Sequence, residues 1–265
     1  MLSKTLLACG LGSIVLAGAL PTPAWALDGN YRGETTVVCG QVITRSIKLA
    51  NDLHNCVGIG LEVGAANITI DLNGHTIDGH GILGSSGIDN TQAGSRHTGY
   101  SRVTIKNGII IAFGSGVALA DGANRNFVQR IVATVNDTGI SARNVNGLHV
   151  SYTAALNNSG IGILLTGTSR GTVLYRNSVV DNDDDGILVD STVTGTRIDN
   201  NDANGNGDDG IHVNATDSAT VIRNNRARNN GAYGIEATPT VTDGGGNHAS
   251  GNGNAVQCVN ITCTP

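Results

Sequence analysis

A short signature returns eight times along this chain: a glycine, an apolar residue, a variable residue and, in most copies, a second apolar residue. It reads Gly60-Leu61-Glu62-Val63, Gly87-Ile88-Asp89-Asn90, Gly116-Val117-Ala118-Leu119 and Gly139-Ile140-Ser141-Ala142, then Gly162-Ile163-Leu164-Leu165, Gly186-Ile187-Leu188-Val189, Gly210-Ile211-His212-Val213 and Gly234-Ile235-Glu236-Ala237. From Gly116 onward the glycines are 23, 23, 24, 24 and 24 residues apart, and the two earlier intervals are 27 and 29. A fixed period of this size, with insertions confined to one end, requires a solenoid. The alternation within each signature is that of a strand with one face turned inward. A second strand follows about ten residues on, as in Thr172-Val173-Leu174, Thr196-Arg197-Ile198 and Thr220-Val221-Ile222, and a third inward position is filled by Val179, Ala203 and Ala227. Three strands and three turns per repeat define one coil of a parallel β-helix.

Asparagine keeps the same register. Asn177, Asn201 and Asn225 fall in one column, and Asn158, Asn182, Asn206, Asn230 and Asn252 in another. Stacked amides bond along a column, so polar residues can enter a narrow core without going unpaired. A leucine-rich repeat is excluded by the scarcity of leucine, a calcium-binding nonapeptide array by the period, and helical repeats by the 38 glycines. Glycine and asparagine also tolerate positive φ, which suits a chain made of tight turns.

The N-terminal run Cys39-Gly40-Gln41-Val42-Ile43-Thr44, then Cys56, then Asn67-Ile68-Thr69-Ile70-Asp71-Leu72-Asn73-Gly74-His75-Thr76-Ile77, precedes the regular coils. Together with the repeats it resembles the right-handed parallel β-helix proteins of the pectin lyase-like superfamily, in particular its secreted bacterial members. The resemblance covers most of residues 36–257. It implies an all-β, single-stranded right-handed parallel β-helix of about eight coils with disulfide-held caps, close to 35 Å long at the usual strand spacing. It rests on scaffold residues, so it speaks to fold rather than to activity.

Lys4, the apolar stretch from Leu6 to Leu20, the breakers Pro21 and Pro23, and Ala24-Trp25-Ala26 read as a signal peptide cleaved after Ala26. The expected layout is therefore a signal peptide over 1–26, an N-terminal cap over 27–58, the β-helix over 59–254 and a C-terminal cap over 255–265. That places the protein outside the cytoplasm, secreted or periplasmic. Cys39, Cys56, Cys258 and Cys263 remain after cleavage, and an even number in an oxidising compartment argues for two disulfides. Three pairings are open, and Cys39–Cys56 with Cys258–Cys263 is favoured. A net charge of −5 argues against a nucleic-acid partner. No segment after the signal is long and apolar enough for a membrane span. Oligomeric state is not legible in the sequence.

On a solenoid, residues that act together stand in columns, one strand spacing apart. Asp183-Asp184-Asp185-Gly186 and Asp208-Asp209-Gly210 occupy equivalent turns, which stacks Asp184 on Asp208 and Asp185 on Asp209. Such carboxylates repel unless a proton or cation intervenes, and calcium takes oxygen ligands of this kind. Against that stands the plain reading of a solvated acidic turn. In pectate lyases of the superfamily, calcium bridges acidic side chains and a uronate substrate, although no lyase motif is matched here. A second candidate pairs His212 with Glu236 in the outward column of the first strand, with Asp190 one coil earlier; a carboxylate beside an imidazole makes a general base. The third places Arg223 on Asp199, itself stacked on Tyr175, with Arg226 on Asp202 nearby. The plain reading of both is cross-strand pairs that only stabilise the sheet. Residues 79–99, with Arg96 and His97, form the one loop-rich stretch.

Two functions compete. The resemblance implies binding or processing of an extracellular, uronate-containing polysaccharide, by a lyase or epimerase if the protein is an enzyme. The regular coils and scarce aromatic residues fit a non-catalytic structural or adhesive module. The first requires His212, Asp190 and Glu236, or the acidic turns, to line a concave surface.

Overall fold

The computed structural model describes residues 33–91 and 98–265. The expected signal segment, its cleavage point, the first residues of the N-terminal cap and the loop residues Arg96 and His97 lie outside them. The described chain is all β and winds as a right-handed parallel solenoid with three faces. The first face is a ten-stranded sheet running from Gln41–Ile43 through Ile59–Val63, Ser86–Asn90, Ser115–Ala120, Thr138–Arg143, Ile163–Thr166, Ile187–Val189, Ile211–Val213 and Ile235–Ala237 to Cys258–Val259. Ten rungs make this stack about 43 Å long rather than about 35 Å. The two extra strands lie where the sequence pointed to caps, because Gln41-Val42-Ile43 and Cys258-Val259 lack the signature's pattern.

The second and third faces meet at a corner. Thr104–Ile111 and Phe127–Thr134 run continuously across it, bending at Asn107 and Arg130 with φ of 61° and 51°. In later coils the two faces carry separate short strands, such as Arg197–Asp199 and Asp202–Asn204. Inward positions stack like on like: Ile140, Ile163, Ile187, Ile211 and Ile235 form one fully buried column. Burying each such side chain contributes about 2 kcal/mol.

Two amide ladders close the core at its corners. One runs from Asn177 through Asn201 and Asn225 to Asn247. The other runs Asn136, Asn158, Asn182, Asn206, Asn230, Asn252 and ends on Gln257. Each rung is saturated. Asn182 donates from Nδ2 to Asn206 Oδ1 at 2.9 Å and to Ala155 O at 3.2 Å, and its backbone N–H reaches Asn206 Oδ1 at 3.2 Å.

Close approach between coils explains the signature glycine, and from Gly116 onward the ladder is part of that approach. None of these glycines has a positive φ, so turn geometry is not the reason for them. A Cβ on Gly186 would lie 2.5 Å from Gly210 O and 2.6 Å from Asn206 Nδ2. Glycine is required because the coils approach too closely for any side chain.

Disulfides join Cys39 to Cys56 and Cys258 to Cys263, at the two ends of the stack. The longer of the two loops so closed is worth about 3 kcal/mol in the chain-entropy account.

Replacing Asn206 by alanine should leave the buried N–H of Asn182 without an acceptor. At about 1–3 kcal/mol per orphaned polar group, the unfolding free energy from a urea titration should fall by roughly 3 kcal/mol.

Candidate functional site

Each glycine of the first face is preceded by a residue at the corner that leads in from the third face. In three successive coils that residue is Asp185, Asp209 and Tyr233. Asp185 and Asp209 are buried, 4% and 2% exposed, whereas their neighbours Asp184 and Asp208 face solvent. One carboxylate oxygen of each continues the logic of the amide ladders. Asp185 Oδ1 accepts the N–H of Asp209 at 3.0 Å, and Asp209 Oδ1 accepts the N–H of Tyr233 at 2.7 Å. These turns stack as the spacing requires, but their inner carboxylates are not solvated.

The second oxygens converge on His212, which points outward from Ile211–Val213 three residues after Asp209. Its Nδ1 lies 3.3 Å from Asp185 Oδ2 and 3.6 Å from Asp209 Oδ2, and its Nε2 lies 3.7 Å from Glu236 Oε2. Glu236 is its register partner in the next strand. The acidic turn and the His212–Glu236 pair, two separate candidates in the sequence, are one cluster drawn from three coils. The signal that joins them was present: an acidic residue before the glycine and a histidine at the outward position two residues after it.

Protonation follows from this packing. Asp185 facing the imidazole raises the His212 pKa to about 9, against the opposing effect of burial and with help from Asp209 and Glu236. Burial pushes Asp209 up to about 7, against the hydrogen bond from Tyr233 and assisted by the nearby carboxyls of Glu236 and Asp185. Asp208 is also raised, by burial and then by Asp185 and Asp184. An imidazolium thus sits beside a carboxyl group that titrates near neutral pH, which is an acid and an acceptor within one cluster.

Ligand atoms of Asp184, Asp185 and Asp208 lie within 4.8 Å of one another, as do those of Asp185, Asp209 and His212. The first set offers only oxygen and fits a hard cation such as calcium. In the second, His212 already supplies positive charge, so a metal there competes with the imidazole proton.

The remaining candidates lie elsewhere. Asp190 stands past the end of Ile187–Val189, where its Oδ1 accepts the N–H of Ser191 at 2.6 Å; it does not join His212. Asp199 and Arg223 are register partners on the second face. Asp199 Oδ2 receives Arg223 Nη2 at 2.8 Å and Arg197 Nη2 at 2.5 Å, and its Oδ1 receives Asn200 Nδ2 at 2.7 Å. Burial would raise its pKa, but the bonds from Arg223, Arg197 and Asn224 override this and hold it at about 2. So engaged, Asp199 is an anchor for two arginines and has little capacity as a base. Asp202 and Arg226 are in register, but Asp202 Oδ1 accepts from Asn204, and the described residues show no ion pair between them.

Along the outward column of the first face, Ala118, Ser141, Leu164, Leu188, His212 and Glu236 follow one another. The small side chains of Ala118 and Ser141 open a hollow of about 480 Å³, with Asp121, Arg143, Leu164 and Thr166 on its walls. It ends at Leu164, two strands short of His212, so the cluster continues this column without lining the hollow.

With the coils and their ladders described, the family assignment follows. Residues 49–203 match the family described as "Right handed beta helix region", more than half of the chain. The chain belongs to the right-handed β-helix family. Two solved structures resemble this β-helix. The Dettilon tailspike protein is 13% identical at a TM-score of 0.47, with 84% of this chain and 60% of that chain covered. The A-module of the Azotobacter vinelandii mannuronan C-5 epimerase AlgE4 is 15% identical at a TM-score of 0.35, with 90% of each chain covered. The β-helix therefore spans less than two thirds of the tailspike's length. No curated protein matches it.

Two pH dependences distinguish the cluster from the anchor. The folded pKa of His212 lies above its ordinary 6.5, so its contribution to stability is complete below pH 6.5 and lost as pH rises through about 9. Thermal melts of His212→Gln should be depressed at pH 6 and approach wild type above pH 9. The folded pKa of Asp199 lies below its ordinary 3.8, so its contribution is complete above 3.8 and lost as pH falls through about 2. Asp199→Asn should lower stability at neutral pH by roughly 2 kcal/mol in chemical denaturation, the scale of hydrogen bonds to a charged group, with the gap closing in strong acid.

Proposed function

We propose that this β-helix is exported and binds or processes an extracellular, uronate-containing polysaccharide, with Asp185, Asp209, His212 and Glu236 as its reacting centre. The observation that carries this reading is the convergence of those four side chains, from three coils, at the outward edge of a long parallel sheet. The first face offers an extended polymer a straight track about 43 Å long at the usual strand spacing. Cationic His212 supplies the positive charge that a uronate carboxylate seeks, and it can donate a proton. The carboxyl groups beside it can accept one, so proton abstraction next to a sugar carboxylate is the chemistry the cluster suits.

Asp184, Asp185 and Asp208 would hold calcium at the solvent edge. Such an ion, when bound, supplies further charge against a uronate carboxylate. Within this reading residues 1–26 are a signal peptide cleaved after Ala26, residues 27–58 and 255–265 are caps, and the location is secreted or periplasmic. The two disulfides fit an oxidising compartment.

A second reading, a non-catalytic structural or adhesive module, is favoured by two observations. The cluster does not line the hollow of the first face, although the polysaccharide reading requires its residues to line a concave surface. Asp185 and Asp209 both bind a backbone N–H of the next coil, a role that needs no substrate.

Proton NMR separates the two. The protein is incubated with pectate, alginate and glycosaminoglycan, with calcium or with chelator. Vinylic signals, or new anomeric signals from epimerised residues, that vanish in His212→Ala are expected. Spectra that stay unchanged and unbroadened with all three polymers would favour the structural module.

A further inference from the structure

The second face carries a different chemistry. Phe127 and His149 are register partners whose rings stack 5.1 Å apart at an interplanar angle of 25°. Beside them, at the corner toward the third face, Tyr152 and Tyr175 meet edge to face with centroids 5.9 Å apart. Two guanidinium groups frame these rings. Arg130 lies 6.0 Å from the Tyr152 centroid, and Arg176 lies 5.9 Å from Tyr152 and 5.1 Å from Tyr175. Arg130, Tyr152 and Arg176 are exposed, and no ion pair engages either arginine among the described residues.

Two features set this ledge apart from ordinary surface. The chain has only two phenylalanines and five tyrosines, yet three of the seven stand here in consecutive coils. Of the others, Phe113 is buried in the core. The second feature is that these rings meet a left-handed backbone column, a conformation that Arg102, Arg125 and Val135 also adopt elsewhere. Arg130, Tyr152 and Arg176 have φ of 51°, 53° and 54°, in a column that carries asparagine at Asn107, Asn200 and Asn224. The left-handed region favours asparagine and disfavours bulky side chains. The fold is thus served by asparagine in this column, and the three exceptions place two cations and a ring where the aromatic residues gather.

We propose that this ledge is a binding site for an extended acidic polysaccharide, with sugar rings stacked on Tyr152, Tyr175 and Phe127 and the polymer's anionic groups paired with Arg130 and Arg176. Aromatic faces accept the apolar faces of sugar rings, and a guanidinium forks onto a carboxylate or sulfate. The three aromatic residues fall in successive coils but in neighbouring columns, Phe127 in register with His149 and Tyr175 with Ser151, so they form a patch rather than a single file. A net charge of −5 works against every polyanion alike, so recognition rests on the two guanidinium groups at the ledge, and oligo-thymidylate, whose bases also stack on aromatic rings, is the competing ligand to be tested. The site lies on a different face from His212 and does not depend on any reaction there.

The test is equilibrium binding of the whole protein to polygalacturonate, dextran sulfate, neutral dextran and oligo-thymidylate, with Tyr152→Asn and Arg176→Asn as variants. Both variants restore the residue the column carries elsewhere, so the coil should keep its turn. Arg176→Gln, which retains the side-chain stem, is a second probe of the cation. Binding to polygalacturonate or dextran sulfate is expected to weaken about tenfold in each asparagine variant, as the loss of one stacking or ionic contact implies. The Arg176 variants should also show a shallower salt dependence. The stronger of the two acidic ligands identifies carboxylate or sulfate as the preferred group. Absence of binding to both, equal binding to neutral dextran, equal or tighter binding of oligo-thymidylate, or variants that bind like wild type would each overturn the proposal. The readout is binding without turnover, so it stands whether or not His212 supports a reaction.

Discussion

The asparagine ladders are the constraint on which the rest of this β-helix depends. A narrow parallel solenoid must turn its backbone three times per coil, and each inward corner exposes N–H and C=O groups to a nearly dry core. An amide stacked on an amide 24 residues later satisfies the backbone N–H, its own side-chain donors and its acceptor together. The geometry works only if the next corner comes very close. The signature glycines of the first face make room for that approach: Gly210 O and Asn206 Nδ2 crowd the place where a Cβ on Gly186 would be. From Gly116 onward ladder and glycine act together as one device, with spacings of 22 to 24 residues.

The acidic cluster is a variation on that device. At the corner before each glycine, Asp185 and Asp209 use one oxygen as the asparagines use theirs, to receive an N–H from the next coil. A carboxylate there brings a second oxygen and a charge into a buried corner, which is unfavourable unless something neutralises it. His212 does so, and burial raises the pKa of Asp209 to about 7. A structural position and a chemically poised one therefore coincide in the same side chains.

Charge is sorted around the coil by the same stacking rule. Carboxylates gather at the corner leading into the first face, where aspartate can join the ladder. Arg130 and Arg176 flank the tyrosines at the corner between the second and third faces, while Arg197 and Arg223 hold Asp199 on the second face. Because neighbouring coils repeat one another one strand spacing apart, a substitution in one coil acquires a like-placed neighbour directly. Chemistry accumulates as stripes rather than as pockets.

The sequence by itself determined the solenoid, its period, the inward columns and the ladders, because each repeat restates the same local conditions and register converts that periodicity into contact. It also placed His212 against Glu236 and Arg223 against Asp199, since partners within one column are separated by a whole number of coils. Relations between columns were decided only by the tertiary structure. The sequence could not say that a corner aspartate turns its second oxygen toward an outward histidine, nor that Asp190 binds Ser191 instead of joining that histidine. Nor could it show that Arg130, Tyr152, Tyr175 and Arg176 share one ledge, since those contacts depend on how sharply each corner bends. The end strands Gln41–Ile43 and Cys258–Val259 escaped for the converse reason: they join the sheet by backbone pairing, with side chains that do not repeat the signature.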